Sequence, residues 1–445
     1  MQHHEGKFSK LGYILTMAGS AIGLGTAWKF PTMTGQNGGF AFIFLYVVLC
    51  LLIGAAAFLA ESVLGRSTGK DSKGAIYELA PAGKTAWSQG GYFFIVSILI
   101  VPFYLVVVGW IFYYMLLCIS ALPAELELAK STFGSLISNN VFGVSVCFLV
   151  MFILSIFVVS KGIKKGIEKL NFILMPSLFL LLILLVFYSA FYGNFAGAIN
   201  FIFTPDFSKI FNADLLLKAL GLAMFSMSLG MGTVCTYAAS TTRRTNLMKS
   251  VFYIIGLNTA VGILMGLVVF SFIPAANASE GPGLIFVSLA SLFGSLGVAG
   301  QFVGFAFFAA LIFAGVTSAV SIIEPTVLHL MNHHGISRNK AVKYSAIFIF
   351  IVGFICIFSY YAPSSAYLTF FGKPVFDLLD FTTSNILMPL GALFFSIFVG
   401  WVAPRWRVYA VFVAYAPRWL IGIWYWLLRI VVPVSIIVVG AYNFI

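Results

Sequence analysis

The stretch AGSAIGLGTAWKFP (Ala18–Pro31) lies inside the first long apolar segment of the chain and decides how the whole is read. It holds Gly19, Gly23 and Gly25, the hydroxyls of Ser20 and Thr26, the charge of Lys29 and a proline. A helix serving only as an anchor would carry leucine and valine there. Each backbone group left unsatisfied in hydrocarbon costs several kcal/mol. Weak helix formers at that depth therefore imply irregular backbone that lines a cavity or is buried in protein.

Composition sets the class around that stretch. The chain has 445 residues, 61% hydrophobic and 9% charged, with a mean hydropathy of +1.05. These values imply a polytopic, all-α integral membrane protein. Apolar segments of about 20 residues span a hydrocarbon layer of roughly 30 Å. Eleven such segments are predicted, at 9–34, 38–65, 89–121, 141–160, 166–191, 213–242, 247–274, 300–331, 341–361, 375–402 and 416–442. What remains holds no soluble domain, so residues 1–445 read as one membrane domain. The first segment has no obvious cleavage site and reads as a retained span rather than a signal peptide.

A net charge of +12 raises the question of a nucleic-acid partner. The distribution of charge answers it. With the N-terminus inside, the inner segments carry Lys7, Lys10, Arg66, Lys70, Lys73, Lys84, Lys161, Lys164, Lys165, Lys169, Arg243, Arg244, Lys249, Arg338, Lys340, Lys343, Arg405, Arg407 and Arg418. The outer loops hold only Lys130, Lys209 and Lys373. This positive-inside bias predicts a cytoplasmic N-terminus and an external C-terminus, with the bilayer rather than nucleic acid as partner.

Cys50, Cys118, Cys147, Cys235 and Cys356 fall within apolar spans, without metal-ligand spacing, and receive no role. His329, His333 and His334 cluster at the inner end of the eighth span and read as solvated imidazoles. The sequon at Asn277 reads as a chance match.

FSMSLGMGT (Phe225–Thr233), in the sixth span, echoes the first: Gly230-Met231-Gly232 against Gly23-Leu24-Gly25. The second lies five spans on from the first, an odd step, so they cross in opposite directions. This is the pattern of an inverted repeat, 9–191 against 213–402, with 416–442 appended. Matched Gly-interrupted spans point to a midplane site in a secondary transporter. Half-helix N-termini present free N–H groups to a carboxylate. Freed carbonyls and nearby hydroxyls can replace the hydration shell of a small cation. GLGTAW is not a dinucleotide fingerprint, lacking a preceding strand, a third glycine and a βαβ unit.

GSAIGLGTAWKFP, NGG at Asn37–Gly39, SMSLGMG and FAGVTSAVSIIEP (Phe313–Pro325) resemble the neurotransmitter:sodium symporters, and stopping after eleven spans resembles their bacterial branch. The resemblance implies an inverted-repeat fold with discontinuous first and sixth helices, in a bacterial inner membrane. It implies cotransport of an amino acid or amine with one or two sodium ions. By motif, a first sodium would meet Ala21, Thr26, Ser226 and Asn258, with threonine at Thr26 where the family has asparagine. A second would meet the carbonyls of Gly19, Ile22 and Ala314 and the hydroxyls of Thr317 and Ser318.

The substrate carboxylate would meet amides at Gly23 and Gly25 and the Tyr104 hydroxyl. Its ammonium would meet carbonyls around Ala21, Phe225 and Ser228, its side chain would meet Ile100, Phe225, Met231, Ser318 and Ile322, and Ser20 and Ser226 would also belong to the substrate site. Amine-selective relatives carry an aspartate where this chain has Gly23, so the resemblance implies a whole amino acid, apolar or aromatic. Lys29 and Asp380 match an outer gate pair. Glu61 is expected to accept hydrogen bonds from the sixth span. The inner gate positions read His4, Lys7 and Asn332, without the family's ion pair. Chloride dependence stays open: Tyr46 and Ser226 fit such a site, Leu222 and Gly262 do not. Gly166 and Pro176 match a motif that lets the fifth span unwind. Oligomeric state is not legible.

Two other functions remain. A non-transporting amino-acid sensor of the same fold would bind ligand and accumulate nothing. An intramembrane enzyme needs a clustered acid, base or nucleophile at depth, whereas Glu61, Lys29 and Asp380 lie on different spans without a partner histidine.

Overall fold

The computed structural model describes residues 6–208, 210–242, 244–273 and 281–442. His4, Lys209, Arg243 and the Asn277 sequon lie outside them. Nearly everything described is helix; the one sheet among these residues is a two-residue antiparallel pairing of Thr369–Phe370 with Lys373–Pro374. Continuous helix is the expected answer to a solvent that offers no hydrogen bonds.

The helices that carry the argument are α1 (Lys10–Ala21), α2 (Gly25–Gln36), α3 (Phe40–Thr68), α4 (Thr85–Ser120), α5 (Val141–Ser160), α6 (Ile163–Tyr192), α7 (Ala213–Ser226), α8 (Thr233–Ala239), α9 (Leu247–Phe272), α10 (Gly297–His334), α11 (Arg338–Tyr360), α12 (Val375–Val402) and α13 (Arg418–Ala441). Among the described residues, nine of these are long and apolar enough to cross a membrane. A tenth crossing is the pair α1–α2, bent by 58° at its break. α7 and α8 are shorter pieces on either side of residues 227–232.

Burial separates centre from periphery. The most apolar window of α4 is 89% buried and that of α10 83%, against 28% for α6. Large side chains such as Phe142, Phe191 and Phe302 stand exposed on the outside, where acyl chains are as favourable a surroundings as a protein core. α1 packs against α6, α9 and α10, and α8 lies along α3. Close approach comes from small residues: a Cβ on Gly65 would stand 1.9 Å from the Cys235 carbonyl oxygen. The last helix docks through Trp424, whose indole N–H donates to Ala56 O at 3.2 Å.

Local chemistry sets several helix ends. Ser9 caps α1, its Oγ accepting the Gly12 N–H at 2.9 Å. Asn140 and Asn246 cap α5 and α9 in the same way.

Candidate functional site

The first break follows from local sequence. α1 ends at Ala21, the Ile22 N–H turns back to Ala18 O at 2.6 Å, and the Gly23 N–H bonds Ala21 O at 2.9 Å. The chain then re-enters helix through a wide turn at Gly25–Lys29. The Leu24 N–H finds no backbone acceptor and donates to Tyr104 Oη on α4 at 3.2 Å. Having accepted there, Tyr104 keeps its own proton to donate. Gly23 lies where nothing larger fits: a Cβ would stand 2.7 Å from Ser318 Oγ and 2.8 Å from Tyr104 Oη. A Cβ on Gly25 would meet the Phe225 ring at 2.4 Å.

The second break is more severe. After Ser226 the chain passes through Ser228 at φ 54°, Gly230 at φ 81° and Gly232 at φ 74° before α8 begins. Positive φ costs a residue with a Cβ roughly 1 kcal/mol or more, so Ser228 marks local strain held by its surroundings. Its Oγ donates to Ser20 O at 3.1 Å and lies 3.3 Å from Ser20 Oγ, tying the second break to the first. Gly230 is required: a Cβ would lie 1.9 Å from Met388 O on α12. The freed Gly230 N–H donates to Glu61 Oε1 on α3 at 2.6 Å, as the sequence led one to expect.

Two oxygen clusters flank the breaks. In one, Thr317 Oγ1 lies 3.2 Å from Gly19 O and 3.0 Å from Ala314 O. Ser318 Oγ donates to Gly19 O at 2.8 Å and reaches Ser20 O at 3.1 Å. Ile22 is buried beside them at the end of α1. In the other, Thr26 Oγ1 lies 3.2 Å from Ala21 O and 2.6 Å from Asn258 Oδ1. Asn258 Nδ2 donates to Tyr46 Oη at 2.8 Å, and Tyr46 Oη meets Ser226 Oγ at 2.7 Å. Ser226 thus joins this cluster through Tyr46. Leu222 is buried, and Gly262 packs so close to the Phe30 ring that a Cβ would stand 2.8 Å away. The protein oxygens of both clusters are hydroxyls, an amide and backbone carbonyls, all neutral, and among the described residues no group of three or more His, Cys, Asp and Glu suits a metal.

Between the breaks, Ala21 O accepts from the Gly23 N–H and lies near Thr26 Oγ1, and Phe225 O accepts from the Met227 and Ser228 N–H groups. Ile100 and Tyr104 are four apart on α4 and share a face, as do Ser318 and Ile322 on α10. Ile100, Met231 and Ile322 are all buried.

Two sequence expectations change. Lys29 and Asp380 do not pair. Lys29 Nζ sits 4.2 Å above the Phe225 ring, and Asp380 Oδ1 accepts from Ser384 Oγ at 3.0 Å. A point charge on a flexible stem is satisfied by an aromatic face where a guanidinium fork would reach for the carboxylate. A cavity of about 230 Å³ lies beside them, lined in part by Lys29, Leu222, Phe225, Ser384 and Met388. The histidines are not all solvated: His329 is buried, its Nδ1 2.7 Å from Asp71 Oδ2 and its ring 4.1 Å from that of Phe94. Only His333 and His334 face out.

Several residues escaped the sequence reading. Just before α1, Phe8 is buried, its N–H donates to Ser240 O at 3.0 Å and its ring meets Tyr237. Ser9 donates through both N–H and Oγ to Glu168 Oε1, at 3.1 and 2.5 Å. Asn332 donates to Asp71 Oδ1 at 3.3 Å, while Lys7 is exposed. Glu324, fully buried on α10, takes a two-pronged bond from Arg338 at 3.0 and 2.5 Å. Only the presence of a glutamate in an apolar run signals such a pair; the partner is not legible.

Comparison with known proteins places this geometry. The family model described as "Sodium:neurotransmitter symporter family" matches residues 5–132 and 131–445. An uncharacterized sodium-dependent transporter of Bacillus subtilis, YhdH, is 35% identical over 97% of this chain and 96% of its own length. A sodium- and chloride-dependent taurine transporter of Canis lupus familiaris is 24% identical over 88% of this chain and 70% of its own. The crystal structure of MhsT in complex with L-phenylalanine superposes with a TM-score of 0.85 at 34% identity, covering 98% of this chain and 99% of that one. Two broken helices joined through Ser20 and Ser228, oxygen clusters on either side and a match along nearly the whole chain lead to one conclusion: this protein belongs to the sodium:neurotransmitter symporter family.

Proposed function

We propose that the protein is a sodium-coupled symporter for an apolar or aromatic amino acid, working by alternating access. The observation that carries this reading is the meeting of the two breaks at Ser20 and Ser228, with Tyr104 and Ser318 closing on Gly23. In this reading α7 and α8 are one interrupted sixth span. The chain is then eleven spans, 9–191 repeating inverted as 213–402, with the N-terminus inside and the C-terminus outside.

The roles follow from the chemistry. The substrate carboxylate accepts hydrogen bonds from the Tyr104 hydroxyl and the amides near Gly23 and Gly25, at the positive end of α2. The ammonium meets the carbonyls around Ala21, Phe225 and Ser228, displacing the weaker local contacts they now make. A side chain at Gly23 has no room, which leaves that space to the carboxylate and favours a whole amino acid over an amine. Gly19, Ile22, Ala314, Thr317 and Ser318 hold the better-formed sodium site. Ala21, Thr26, Ser226 and Asn258 offer a second, smaller one, where the Thr26 hydroxyl must turn from Asn258 to admit an ion. Cargo that bridges the two breaks stabilises the state in which they meet, and this differential affinity couples binding to motion. The phenylalanine bound by MhsT supports an aromatic cargo.

The test is uptake of each of the twenty amino acids into proteoliposomes, with an inward sodium gradient and with potassium replacing sodium. The expected result is accumulation of one or a few apolar amino acids with sodium only. Binding without accumulation would identify a sensor and overturn the reading.

A further inference from the structure

We propose that Asn171 supplies its side-chain oxygen as a further ligand to the sodium site formed by Gly19, Ile22, Ala314, Thr317 and Ser318; this rests on the sodium-coupled reading above. Asn171 lies on α6, midway between Gly166 and Pro176, in a stretch otherwise rich in leucine and isoleucine. It is completely buried. Its Nδ2 donates to Ile167 O at 2.9 Å, which fixes which end of the amide is oxygen. That oxygen, Oδ1, has no hydrogen-bond partner.

Its direction is fixed by the neighbouring glycine. A Cβ on Gly19 would stand 2.1 Å from Asn171 Oδ1 and 3.1 Å from the Thr317 Cβ. The amide oxygen therefore rests against the Gly19 backbone on the side where Thr317 approaches. The Gly19 carbonyl is shared by the Thr317 and Ser318 hydroxyls. An asparagine from α6 and two hydroxyls from α10 thus converge on one residue of α1.

A buried amide oxygen without a donor destabilises the fold, and such orphans in a packed interior call for an explanation. A cation supplies it. A small ion entering a dry site must replace its hydration shell with oxygens, and a neutral amide carbonyl is a strong dipole for the purpose. The ligand would also make the site depend on the position of α6. Three helices would then sense the ion rather than two.

The test is direct binding of radiolabelled sodium to the purified full-length protein without amino acid, comparing wild type with Asn171→Ala, Asn171→Asp and the control Thr317→Val with Ser318→Ala. Asn171→Ala is expected to weaken sodium affinity about tenfold, the effect of one lost neutral ligand, and to change the ratio of sodium to lithium affinity. Asn171→Asp keeps an oxygen in place and adds charge, so affinity rises at neutral pH and the gain disappears as acid protonates the carboxyl. A purely structural asparagine would give weaker binding in both variants, or none of these changes, and either result overturns the proposal. If Asn171→Asp fails to fold, the lithium ratio of Asn171→Ala decides. Wild-type affinity in the Thr317→Val, Ser318→Ala control would instead sink the location of the site itself, and with it the function proposed above. A crippled control beside unaltered Asn171 variants sinks only the ligand.

Discussion

At the scale of single residues, the site is defined as much by what is missing as by what is present. Gly23 leaves the Tyr104 and Ser318 oxygens a shared gap that even a methyl group would fill. Gly23→Ala is therefore expected to lower substrate affinity more than tenfold, measured as the KM of uptake at saturating sodium. Tyr104→Phe removes one hydroxyl, and the Leu24 N–H loses its acceptor. A lost bond of this kind is worth about 1–2 kcal/mol, so KM should rise roughly 5- to 30-fold, with sodium affinity little changed. Both glycines of GLG were legible as helix-weakening. That Gly23 faces an oxygen pair while Gly25 lies beneath a phenyl ring was not, because those neighbours come from α4, α10 and α7.

At the scale of elements, each break survives because a neighbour takes over its orphaned backbone. The second break depends on Glu61, whose Oε1 holds the Gly230 N–H in a fully buried setting. Glu61→Ala leaves that N–H without a partner at a cost of about 1–3 kcal/mol. The thermal unfolding midpoint in detergent should fall and uptake should be lost, whereas Glu61→Gln, which keeps an acceptor, should retain more of both. At the inner end, Arg338 and Glu324 join α11 to α10. Removing one member of a buried pair costs about 3–5 kcal/mol, because the remaining charge stays buried. Arg338→Ala should therefore lower the unfolding midpoint more than Glu61→Gln does. The contacts around Phe8, Ser9 and Glu168 are hydrogen-bonded and apolar, at an end of the chain where the sequence offered no ion pair.

At the scale of the whole molecule, the proposed orientation rests on the uneven spread of lysine and arginine. Single cysteines placed at Lys164 and Lys130, in a background lacking the five native ones, should react with impermeant thiol reagents from opposite faces of the membrane, Lys130 from outside. Labelling of both from the same side would contradict the proposed topology. The half that the proposed topology turns outward holds a cavity beside Lys29 and Phe225, with Lys29 and Asp380 apart. At the opposite end Phe8 and the Asp71–His329 pair are buried. The proposed alternating access requires such an asymmetry.

The sequence by itself determined the class, the placement of the long helices and the two breaks. These rest on local facts: an unbroken apolar run must be helical in lipid, and glycines at depth must interrupt it. It also determined that Glu61 would serve the second break, since a lone carboxylate at depth needs a donor. Only the tertiary structure decided which groups meet. Lys29 over Phe225, Asp71 against His329 and Asn171 beside Gly19 join helices far apart in the chain. Inside a membrane nearly every residue is apolar, so the periodic pattern that separates a buried face from an exposed one in water is nearly erased. Which face of a helix turns inward is then set by packing of small residues and by hydrogen bonds between helices, and these exist only once the chain has assembled.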